Sequence, residues 1–169
     1  MSTYNRTTRE CSVAQLRPEL RQAIWEYFKE HNLGDPEAES LMCCETIAEK
    51  KDAGKLASWL SGESDTIIYI GMLFTHQMLI WVRKGNQSDP VLHAANLKEI
   101  RVSAYEPLLS KELGLEIAGF IETTKSWVRG HIEMGPEAAT KEFVKAVQEA
   151  IAGLNPPSKR RGLFKWLKD

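Results

Sequence analysis

Residues 66–82, TIIYIGMLFTHQMLIWV, form the most apolar run in the chain. A membrane-spanning helix needs about 20 consecutive apolar residues, whereas this run has 17 positions broken by Thr75, His76 and Gln77. Its branched and aromatic side chains suit a pleated surface instead, and they predict strands at 66–74 and 78–84 joined as a hairpin. Turn residues 85–89, Gly-Asn-Gln-Ser-Asp, lead to a short strand at 90–94. Residues 98–104 then alternate, with Ile100, Val102 and Ala104 opposite Glu99, Arg101 and Ser103. Alternation returns at 115–121 and at 127–134, where Val128, Ile132 and Met134 oppose Arg129, His131 and Glu133. The pattern thus predicts six strands.

The period changes after Gly135-Pro136-Glu137, a sequence suited to a helix N-terminus. Ala139, Phe143, Ala146, Val147, Ala150, Ile151 and Leu154 recur at helical spacing, while Lys141, Glu142, Lys145, Gln148 and Glu149 lie elsewhere. Such a stripe must cover an apolar surface. Ahead of the strands, Pro18 opens a predicted helix whose apolar side is Leu20, Ile24, Tyr27 and Phe28 and which stops at Leu33-Gly34. A second helix is predicted from Glu37 to about Lys51, with Leu41, Cys44, Ile47 and Ala48 on one face. The expected organisation is a helical hairpin over 1–55, a strand-rich domain over 64–154 and a tail over 155–169.

An antiparallel run closed by one amphipathic helix resembles a bacterial pleckstrin-homology-like (PH-like) domain. The resemblance rests on "GMLFTHQMLIWVRKG", "LKEIRVSAYE", "GLEIAGF" and "HIEMGPEAATKEFVKAVQEAI". It implies an α+β fold: a bent, partly open antiparallel β-barrel or sandwich of six to seven strands, capped by the C-terminal helix. With six strands counted, either a short seventh sits near 106–113 or the barrel is incomplete. The stretch "LMCCETIAEKK" resembles one in a group of uncharacterised bacterial proteins where a helix precedes a PH-like domain. Phosphoinositide recognition in that superfamily relies on Lys and Arg around the first hairpin loop. Here that loop offers only His76, so the headgroup site is not carried over.

Composition and charge add little for most of the chain. A formal net charge of -1 gives no general pull toward nucleic acid. The first ten residues, MSTYNRTTRE, lack the apolar core of a secretory signal, and a cytoplasmic location is expected. Cys11, Cys43 and Cys44, odd in number and partly adjacent, make a poor disulfide framework. Cys43 and Cys44 read as buried helix residues about 100° apart rather than as a metal or redox pair. His31, His76, His93 and His131 are scattered, and no nucleophile elbow, zinc spacing or phosphate-binding loop occurs. Glu116, Glu122 and Glu133 read as solvated acids on a sheet surface. Neither an enzyme nor a cofactor is expected.

The tail is the segment whose chemistry asks for a partner. Lys159, Arg160 and Arg161 precede an apolar cluster of Leu163, Phe164, Trp166 and Leu167, flanked by Lys165 and Lys168. A terminus without fixed structure, or one folded back on its domain, fits the same residues. Used outside the domain, the tail suits a groove on a partner or weak attachment to an anionic membrane, at about 1 kcal/mol per cation. The sequence therefore leads to a non-enzymatic module that binds a protein partner, itself included, with a peripheral membrane adaptor as the alternative.

Overall fold

The computed structural model describes residues 4–51, 65–107 and 113–154. It is an α+β protein, with eight strands among the described residues in two open antiparallel sheets. Strands β1 (Tyr4–Glu10), β2 (Met42–Lys50), β3 (Ile67–Phe74), β4 (Met78–Gly85) and β5 (Val91–Asn96) form one sheet in chain order. Strands β6 (Ile100–Tyr105), β7 (Leu113–Ile121) and β8 (Ser126–Met134) form the other. Among the described residues the helical elements are a 3-10 turn at Val13–Gln15, helix α1 (Pro18–Glu30), the single turn α2 (Pro36–Glu39) and the helix α3 (Ala138–Leu154).

All six strands expected after residue 64 are present, and of the barrel or sandwich expected they form no closed barrel but divide between two antiparallel sheets. Glu106 and Pro107 are not in a strand, and residues 108–112 lie outside the described residues. The apolar run of 66–82 is the β3–β4 hairpin, and among the described residues no helix is long and apolar enough to cross a membrane. Its turn lacks glycine because Thr75 does the closing: Thr75 N–H donates to the Met78 carbonyl at 2.9 Å. The Thr75 hydroxyl accepts from the backbone N–H groups of Gln77 and Met78.

The N-terminal segment departs most from expectation. The helix predicted from Glu37 to Lys51 amounts to one turn, capped by the Asp35 carboxylate on Glu37 N–H. Residues Met42–Lys50 are instead a strand between β1 and β3. Cys43 and Glu45 face α1, and Cys44, Thr46 and Ala48 face the opposite way, yet all five are buried. A strand covered on both faces loses its alternation. The 3-3-1 spacing of Leu41, Cys44, Ile47 and Ala48 therefore imitated a helix by accident, and Leu41 is in fact exposed. Strand β1, YNRTTRE, carries almost no apolar signal because much of its inward side is held by polar bonds. Thr8 Oγ1 lies 2.7 Å from Thr46 Oγ1 and accepts from Gly135 N–H, while Thr8 N–H donates to Glu137.

Two cores result, one on each face of the five-stranded sheet. Leu20, Ile24, Tyr27 and Phe28 of α1 cover one face, meeting Leu73, Ile80, Val82 and Ala94. The helix ends at Glu30, shortly before the Leu33-Gly34 stop read from the sequence: Asn32 takes a left-handed conformation (φ 53°), and Leu33 N–H reaches back to the Phe28 carbonyl. The other face packs against Ile100, Leu115, Ile117, Ile132 and Met134 of the three-stranded sheet and against α3. Phe143 and Val147 are fully buried there, with Ala146, Ala150, Ile151 and Leu154 half-buried on the same core. The Phe143 ring meets Phe74 edge-on at 5.8 Å between centroids. The stripe read from the sequence thus seals the space between the sheets.

Candidate interaction surface

Lys159, Arg160, Arg161, Leu163, Phe164, Lys165, Trp166, Leu167 and Lys168, the tail residues singled out by charge and apolarity, lie outside the described residues. Within the described residues, the outward face of β6–β7–β8 gathers the groups best suited to contact. Strand parity sends Ile100, Leu115, Ile117, Ile132 and Met134 inward and leaves Ser103, Tyr105, Glu116, Phe120, Trp127, Arg129 and His131 on the outside.

These outward side chains are organised rather than independent. The rings of Tyr105 and His131 stack at 4.2 Å between centroids, only 7° from parallel. Glu116 accepts from Arg129 Nε at 2.8 Å and from Ser103 Oγ at 3.1 Å. The Arg129 hydrogen bond, followed by the Ser103 one, holds the Glu116 carboxyl below its ordinary pKa. It is therefore an anionic acceptor at neutral pH. Phe120 packs edge-on to Trp127, and Trp127 is 77% exposed.

The same strand presents an edge. β8 is the outer member of its sheet, and its last residues are tied to β1 through the Arg6–Glu133 ion pair and the Gly135–Thr8 hydrogen bond. Ser126 to His131 precede that tie. Val128, expected on the core side with Ile132 and Met134, is 38% exposed. It lies opposite Gly119, which offers no side chain to pack against, so β8 outruns the core at that point. The sequence did contain a signal for Trp127: the parity that places Arg129, His131 and Glu133 outward places Trp127 with them.

The remaining candidates separate in space. Cys43 and Cys44 are successive residues of a strand, so they enter different cores. Burial pushes the Cys44 thiol up to about 12. Glu116 and Glu133 share the outer face with basic partners, whereas Glu122 lies past the end of β7, beside Tyr27 and His31 of α1. Burial, then the Glu122 charge, raises the Tyr27 hydroxyl. His31, His93 and His131 each stack on a different aromatic ring. Among the described residues, no three His, Cys, Asp or Glu side chains come together as a metal site. Comparison with family models, curated proteins and solved structures returns no match. Fold and surface define an α+β protein of two antiparallel sheets with an organised aromatic face on the smaller one.

Proposed function

We propose that this chain is a non-enzymatic protein-binding module of PH-like architecture, whose contact surface is the outer face and the β8 edge of the three-stranded sheet. The observation that carries this reading is Trp127, 77% exposed and braced by Phe120. Binding energy at protein interfaces concentrates in Trp, Tyr and Arg side chains that a partner buries. Trp127, Arg129 and Tyr105 share this outer face, with Trp127 beside Phe120 toward one end of the strands and Tyr105 toward the other, and Arg129 and Tyr105 are already oriented by Glu116 and His131. Side chains held in place before contact lose less freedom when a partner arrives. The backbone of β8, which pairs with no strand beyond β7 among the described residues, adds a second means of contact, through strand addition. The PH-like reading is supported by the packing of one C-terminal helix against an antiparallel core.

The test places a photoreactive phenylalanine at position 127 of the full chain, with position 148 on the exposed side of α3 as the control, and illuminates cells that make the protein. Discrete protein adducts, including one with a second copy of this chain, are expected from position 127 and not from position 148. Equal, diffuse labelling from both positions would overturn the reading.

A further inference from the structure

The register of β1 against β2 pairs Glu10 with Cys44, and one step further it sets Cys11 directly opposite Cys43. The backbone confirms the step, since Cys11 N–H donates to the Cys43 carbonyl at 3.0 Å. Directly opposed residues of an antiparallel pair have Cα atoms about 4.5–5.5 Å apart, within the roughly 4.4–6.8 Å that a disulfide spans. Both side chains leave the sheet on the α1 side, where Cys43 is buried and Cys11 is half-buried against the same cluster. A surface notch of about 570 Å³ opens onto both cysteines, between Ser12, Glu37 and Met42. The geometry points to Cys11 and Cys43 as an oxidisable thiol pair, at which a peroxide closes a disulfide between the end of β1 and the start of β2.

The two sulfurs have unequal roles. Cys11 is reached from the notch, and its thiol is held below the usual range by the hydrogen bond from Cys43 and by the Arg9 guanidinium. The same hydrogen bond and burial keep Cys43 protonated. The Cys11 thiolate attacks one peroxide oxygen, the O–O bond breaks, and hydroxide leaves and is protonated to water. Cys43 sulfur then attacks the Cys11 sulfenic acid, the S–O bond breaks, and a second water departs with the Cys43 proton. Two thiols are oxidised to one disulfide while one peroxide is reduced to two waters. Cys44 takes no part, because it points into the other core.

The test treats the reduced full chain with hydrogen peroxide and reads it by intact mass and non-reducing peptide mapping. A monomer lighter by two hydrogens, with the Cys11 and Cys43 peptides joined and the link reversed by dithiothreitol, is expected. The variant C44S should behave the same, and C43S should stop at a Cys11 sulfenic acid that dimedone captures. Wild-type mapping alone decides the matter if C43S fails to fold. Oxidation of Cys11 to the sulfinic acid with Cys43 still free, a link to Cys44, or a link between two chains would each overturn the assignment.

Discussion

Phe143→Ala is expected to lower the free energy of unfolding by about 3–5 kcal/mol, the usual cost of truncating a buried aromatic side chain. Phe143 is fully buried and lies edge-on to Phe74. Its helix touches β1, β2, β6 and β7, so it bridges both sheets, and a cavity at this point has little room to collapse. A domain with about 5–15 kcal/mol of net stability loses a large share of it. Glu142→Ala, one residue earlier and exposed, is expected to stay within about 0.5 kcal/mol of wild type. Urea denaturation of the two variants side by side measures the contrast, and equal effects would mean that α3 does not seal the core.

Leu20→Ala tests the opposite face, with an expected loss of about 2–5 kcal/mol. Leu16 and Leu20 come down on Gly71 of β3, where a side chain would meet them at 3.4 Å. The helix approaches the strand closely because that position has none. Since Leu20 and Phe143 belong to clusters on opposite faces of the same sheet, their effects should add to within about 0.5 kcal/mol in the double variant. A coupling energy well above about 1 kcal/mol would show one continuous core in place of two.

What the sequence revealed followed from how cleanly each element separates its faces. Helix α3 has one wet and one dry side, so its stripe was legible. The same holds for α1, whose proline start and Leu33-Gly34 stop are local chemistry. Strands β3 to β8 were found because turn residues punctuate them and their composition is branched and aromatic. The N-terminal pair was hidden for opposite reasons. β1 fills much of its inward side with Arg6 and Thr8, which are satisfied by bonds to partners over a hundred residues away. β2 is dry on both faces and so shows no period. Losing those strands also hid the Cys11–Cys43 juxtaposition, since 32 residues of sequence separate what the register joins. Of the candidate surface, strand parity marked Trp127, but only the fold shows that Phe120 stands beside it and that, among the described residues, no further strand pairs along this end of β8.

The proposal requires a chain whose two cores are sealed while one aromatic face stays open. Hydroxyl-radical footprinting of the dilute protein, read residue by residue in a mass spectrometer, measures that division directly. Trp127 should be modified among the fastest of the described side chains, with Phe143, Met72 and Met134 protected. Protection of Trp127 to the level of Met134, or oxidation of Met72 and Met134 at the rate of Trp127, would contradict it.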